Sequence, residues 1–266
     1  MINVYQTVYN EALNYLTNKA GTEFVADQLK DNAAGDPTDV NTLKDIFLAL
    51  LNAVICTKRM KEVIGPVENL RDLMQGFDPI KLYSQYGKRW ESLSGNIRDK
   101  VPKVTESANK DSYWTYWEVF SKTALSGACF VSQLKTVETF KAFVEGFKYN
   151  EMTTAVLPLL LQKEIQGFTF PSACDFLTQA GFCDYISPDP KVKALLYDIE
   201  IIESMENYEL LKTLITIARA NDEKPITVNK LFWIIAAGKQ SDHKSNHLRS
   251  EFIDHITPIL ANIPQS

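Results

Sequence analysis

Cysteine is scarce in this chain and histidine scarcer, with four and three among 266 residues. Cys56, Cys129, Cys174 and Cys183 contain no C-x-x-C pair and no metal-type spacing. That excludes zinc-ribbon and thioredoxin-like motifs and leaves reduced core thiols, the pattern of a cytoplasmic protein. His243, His247 and His255 are the only imidazoles. Asp242-His243 with His247 faintly outlines a metal pair, but a third ligand and the glutamate of H-E-x-x-H are missing, so a surface helix start is expected and no metal. No apolar run approaches the roughly 18 residues that span a bilayer, and Met1-Ile-Asn-Val-Tyr-Gln6 lacks a basic region followed by an apolar one. A soluble chain with no membrane partner is expected. Strand-like alternation is absent, as is any repeat period, which excludes sandwiches and solenoids. A basic surplus is lacking too: 28 Lys and Arg face 33 Asp and Glu, a net charge of −5. A protein that coats nucleic acid indiscriminately is thereby disfavoured, because such affinity comes largely from neutralised phosphates.

What is present is core material, 45% hydrophobic and 11% aromatic residues, arranged with helical periodicity; the expectation is an all-α fold. Val4, Val8, Leu13 and Leu16, then Phe24, Val25 and Leu29, are spaced as helices broken near Gly21. Thr42 is placed to cap an apolar helix over 43–60. Short helices are expected at about 66–75 and 79–86, and an exposed crossover over the polar stretch 94–111. Further helices follow: one opening near Ser112, then 137–147 and 153–165, with Pro158 at a first turn or a kink. The pattern continues with helices at 171–180, 190–204 and 206–220, then a helix 228–237 capped by Thr227 after a break at Lys224-Pro225, and a last helix at 246–261.

Charge is unevenly spread. Residues 1–43 hold two Lys and Arg against six Asp and Glu, residues 44–150 hold 16 against 12, and residues 151–266 hold 10 against 15. Lys58, Arg59 and Lys61, joined by Lys88, Arg89, Arg98, Lys100 and Lys103, form either a basic patch or ordinary solvated helix faces. Trp114 and Trp117 share a helix face and read as core or as a platform for a base.

The stretch 165–192 carries the chemistry. Gly167-Phe-Thr-Phe-Pro-Ser-Ala173 lies between two apolar helical segments, and Asp189 follows Gly167 by 22 residues in Ser187-Pro-Asp-Pro190. A glycine turn between helices presents backbone N–H groups to a phosphate, which positions DNA without reading its sequence. Asp189 also suits a helix N-cap with Pro190 at the first helical position. In Gly167, Ser172, Ala173 and the Asp189 offset, this stretch resembles the hairpin and catalytic aspartate of the helix-hairpin-helix DNA glycosylases, the endonuclease III-like superfamily. Thr169 stands at the family's second glycine, which requires a negative φ there. Pro171 stands where bifunctional members keep a Schiff-base lysine, and Asp189-Pro190-Lys191-Val192 replaces the usual aspartate context.

The resemblance implies a helical bundle or barrel of that type: one domain, 1–266, of two intimately packed lobes, about 1–43 with 200–266 and 44–199 with the hairpin. It implies double-stranded DNA as partner and monofunctional hydrolysis of the N-glycosidic bond of a flipped base. Asp189 would be the catalytic carboxylate; Gly167, Phe168, Thr169 and Ser172 would meet the DNA backbone. Asp175, Trp114 and Trp117 are candidates for the base pocket, Asp175 being equally suited to solvent. No cofactor is required, and the family's iron–sulfur cluster is not expected, since no cysteine follows Cys183. A cytoplasmic, or in a bacterium nucleoid-associated, protein follows. The alternative is a non-catalytic DNA-binding or protein-interaction module of the same fold.

Overall fold

The computed structural model describes residues 3–30, 40–55, 58–100, 110–238 and 247–263. Among them no strand occurs and the all-α expectation holds. In chain order the helices are α1 Val4–Ala20, α2 Thr22–Lys30, α3 Leu43–Val54, α4 Lys58–Ile64, α5 Pro79–Tyr86, α6 Trp90–Lys100, α7 Lys110–Leu134 and α8 Val137–Glu145. They continue with α9 Glu151–Glu164, α10 Phe170–Gln179, α11 Pro190–Asp198, α12 Asn207–Ala220, α13 Pro225–Ala237 and α14 Leu248–Ala261. Short 3₁₀ turns at Val67–Leu70 and Gln75–Phe77 stand where a longer helix was expected.

Two compact units result. One, here the hairpin unit, comprises Thr38–Tyr149 and Val156–Phe182; the other, the terminal unit, comprises Met1–Pro37, Asn150–Ala155 and Cys183–Ser266. Asp189 and its helix thus group with the termini.

The hairpin unit is built on α7, against which α3, α5 and α6 pack, with α10 on α3. The helix α3 starts as its sequence dictates: Thr42 Oγ1 accepts from the Asp45 N–H at 3.2 Å while Asp45 Oδ2 accepts from the Thr42 N–H at 2.8 Å. Ile46, Phe47, Leu50 and Leu51 on it are fully buried. It ends at Val54, earlier than the apolar run suggested, as the Ile55 N–H turns to the Asn52 carbonyl. Gly127 lets α7 approach α3, since a Cβ there would stand 2.7 Å from Leu50 Cδ2. The expected crossover at 94–111 is corrected over its first part: α6 runs through Gly95 because Leu93 and Ile97, four apart, are both fully buried. Residues 101–109 lie outside the described residues.

In the terminal unit α13 packs against α1, α2, α11, α12 and α14. Its start is also corrected: Lys224 is the N-cap and Pro225 the first helical residue, so Thr227 lies inside the helix. Proline needs no N–H partner at that position, and the break read at Lys224-Pro225 is a beginning. Between α1 and α14, Lys19 pairs with Glu251 at 2.6 Å and His255 meets Glu11 at 3.1 Å. The Tyr15 hydroxyl donates toward Glu251 Oε2 at 3.2 Å and lies 3.3 Å from the Leu248 carbonyl.

Candidate nucleic-acid interface

The turn between α9 and α10 forms as its residues require. The Phe168 N–H closes it on the Ile165 carbonyl at 3.1 Å, and Gly167 adopts φ +86°, a conformation that strains any residue with a Cβ. Space demands glycine a second time, because a Cβ at 167 would lie 2.3 Å from Thr123 Oγ1 on α7. The turn is latched to the same helix one step away, where Ser126 Oγ accepts from the Gln166 N–H at 3.0 Å. Thr169 has φ −104°, the negative value a non-glycine needs, and caps α10 by accepting from the Ser172 N–H at 3.2 Å. Phe168 and Ser172 are buried and their N–H groups are spent on the Ile165 carbonyl and Thr169 Oγ1, so neither brings a donor to a DNA backbone; the Phe168 ring meets Phe176 at 6.1 Å. The N–H groups of Gly167, Thr169 and Phe170 have no acceptor among the described residues. Three donors at a helix start are chemically suited to one anionic oxygen cluster.

Asp189 is the N-cap of α11, its Oδ1 accepting from Lys191 N at 2.7 Å and Val192 N at 3.2 Å, with Pro190 at the first helical position. Its Oδ2 has no hydrogen-bond partner among the described residues. The turn belongs to the hairpin unit and Asp189 to the terminal unit.

The remaining candidates divide sharply. Trp117 is fully buried and meets Phe120 edge-on at 6.0 Å, a core residue that offers no face to a base. The side chain of Trp114 lies outside the described residues. Asp175 is half-buried on α10; its charge, after burial itself, raises the thiol of the adjacent, wholly enclosed Cys174 above its ordinary pKa. Lys61 is exposed on α4, and the side chains of Lys58 and Arg59 are outside the described residues, as is His243. His247 and His255 are exposed, and no cluster of three His, Cys, Asp or Glu among the described residues could hold a metal. Net charge separates the units: 17 Lys and Arg against 15 Asp and Glu in the hairpin unit, +2, and 11 against 18 in the terminal unit, −7.

Sequence reasoning missed a cleft of about 360 Å³ in the hairpin unit, with Tyr83, Trp90, Lys122, Cys129, Gln133 and Gln166 in its walls. Lys122 Nζ sits 4.3 Å from the centre of the Trp90 ring and 2.5 Å from Glu118 Oε1. Gln133 donates to Cys129 Sγ at 3.7 Å, and the Tyr83 phenol is raised above its ordinary pKa chiefly by its hydrogen bond to Cys129. The signal existed as polar residues 122, 126, 129 and 133 on one face of α7; the neighbouring aromatics Trp114 and Trp117 drew the reading elsewhere.

No described helix is long and apolar enough to cross a membrane. No family model matches the chain, and no similar curated protein or solved structure was found.

Proposed function

We propose that the chain binds double-stranded DNA through the turn at Gly167 and, as a monofunctional glycosylase of the helix-hairpin-helix type, hydrolyses the N-glycosidic bond of a flipped base. The observation that carries this reading is the turn itself: unpartnered N–H groups at Gly167, Thr169 and Phe170 ahead of a capped helix. Helix dipole and unpartnered donors together favour a phosphate there. The net +2 of the hairpin unit in a chain of net −5 supports the same side for a polyanion.

Hydrolysis passes through an oxocarbenium-like sugar, whose positive charge a carboxylate stabilises while drawing a proton from the attacking water. Asp189 suits that role because capping engages only Oδ1, leaving Oδ2 for the water. The backbone N–H groups of Lys191 and Val192 fix the carboxylate, so it needs no reorganisation as charge develops. Pro171, in the first turn of α10, provides no amine for a Schiff base, which limits the reaction to base release.

The test is a panel of duplexes, each carrying a different damaged or modified base, assayed for abasic sites. Release of one base by the wild-type chain and none by Asp189→Asn is the expected result. Duplex binding without release from any substrate would discard excision and leave a non-catalytic DNA-binding module. Failure to bind duplex at low salt would discard both.

A further inference from the structure

We infer that the cleft in the hairpin unit is a nucleotide site, taking a planar base together with its phosphate. Its volume of about 360 Å³ falls in the range, roughly 300–1,000 Å³, typical of small-molecule sites. The walls supply the groups such a ligand needs. Tyr83, Trp90 and Phe130 provide aromatic surface, and stacking accepts any base because every base has a π-face. The amides of Gln133 and Gln166 each bring donor and acceptor to a base edge. Lys88, exposed and without an ion-pair partner among the described residues, is the cation for the phosphate. Lys122 is held otherwise, between Glu118 at 2.5 Å and the Trp90 ring at 4.3 Å. It therefore braces the indole and pre-organises the stacking surface.

The position of the cleft narrows the source of the ligand to two. Gln166 lines it and immediately precedes Gly167, while Ser126, also in its wall, holds the Gln166 N–H at 3.0 Å. A strand whose phosphate rests on the turn would bring an unpaired nucleotide to the cleft mouth; a free mononucleotide presents the same base and phosphate. Neither source requires Asp189, so the inference stands apart from base excision.

Cys129 serves as the reporter, being half-buried in the cleft wall, and its peptide is read apart from those of Cys56, Cys174 and Cys183. Alkylation of Cys129 by iodoacetamide would be followed by mass spectrometry while titrating each 5′-deoxymononucleotide, the matching nucleosides, or a short single-stranded oligonucleotide. Protection of Cys129 is expected. If mononucleotides protect, the ligand is the free molecule; if only the oligonucleotide does, it is a strand. Trp90→Ala should raise the half-protecting concentration about tenfold or more, the loss of one stacked base, with Trp90→Phe recovering most of it. Lys88→Gln should weaken a nucleotide but leave the nucleoside unchanged. Circular dichroism establishes that each variant is folded, and Gln133→Leu, at an exposed position, replaces Trp90→Ala should the latter unfold. No protection by either ligand, or protection that persists undiminished in the folded cleft variants, overturns the assignment. Asp189→Asn should retain full protection, so loss of excision and loss of nucleotide binding are separate results.

Discussion

Replacing Gly167 by alanine puts two independent penalties on one methyl group, and a second substitution can separate them. The first is conformational. At φ +86° an L-residue crowds its own carbonyl, at a cost of about 1–2 kcal/mol. The second is packing: the new Cβ would lie 2.3 Å from Thr123 Oγ1, with Val119 Cγ1 at 3.5 Å and Thr123 Cβ at 3.6 Å as the next contacts. The Thr123 hydroxyl is not at liberty to swing aside, because it donates to the Val119 carbonyl at 2.8 Å. Overpacking of this kind costs about 1–3 kcal/mol, so Gly167→Ala alone should destabilise the hairpin unit by about 2–5 kcal/mol.

In a Thr123→Ala background the offending oxygen is gone and only ordinary contacts at 3.5–3.6 Å remain. The same change at Gly167 should then cost only the conformational part, about 1–2 kcal/mol. Urea unfolding of the four proteins in the double-mutant cycle measures both numbers. Equal costs in the two backgrounds would refute the packing argument, and no cost in either would mean that the turn does not hold the conformation described.

Asp189→Asn should leave thermal stability almost unchanged, since asparagine also caps, whereas Asp189→Ala should lose about 1 kcal/mol; excision should vanish in both, and activity in the asparagine variant at the wild-type level would reduce Asp189 to a cap. The Glu251 carboxyl is held below its ordinary pKa, first by the hydrogen bond from Lys19. Its stabilising contribution is therefore present above the unfolded value of about 4.3 and lost as pH falls through the lower folded value; Glu251→Gln should flatten that part of a stability-against-pH curve. At the other extreme the Tyr15 phenol is pushed up to about 12, chiefly by burial, so stability should decline as pH climbs from about 10 to about 12, and Tyr15→Phe should lessen that decline, leaving the part due to Tyr9, which burial also raises. Borohydride should trap no covalent adduct with DNA, because Pro171 has no amine; a trapped adduct would end the monofunctional assignment.

Most of the secondary structure was legible because its causes are local. Thr42 and Asp189 each announce a helix start by a side chain that accepts from an N–H two or three residues on, and such signals survive without tertiary context. Failures came where two local rules compete. Lys224-Pro225 was read as a break because proline interrupts helices, but the same proline is favoured at a first helical position. The stretch 94–100 looked like loop because the polar run to 111 and its Pro102 outweighed two buried residues, Leu93 and Ile97, that anchor α6.

The candidate site divides along the same line. The positive φ of Gly167 and the negative φ of Thr169 were legible because backbone conformation is a property of a few consecutive residues, whereas the cap that Thr169 forms was not read from the sequence. Trp117 was misplaced among candidate base contacts for the opposite reason. Its i, i+3 partnership with Trp114 defines a face but not what covers it, and in the fold that face is filled by contacts such as Phe120 at 6.0 Å. Only the α7 side of the cleft was legible, because its other walls come from residues as far apart as Tyr83 and Gln166, which meet α7 only in the fold. The turn latched by Ser126 and the cleft lined by the same serine share one helix face. A change in α7 that moves Ser126 must therefore disturb both, whereas changes at Asp189 reach neither through these contacts, which is why nucleotide binding and base release are best assayed separately.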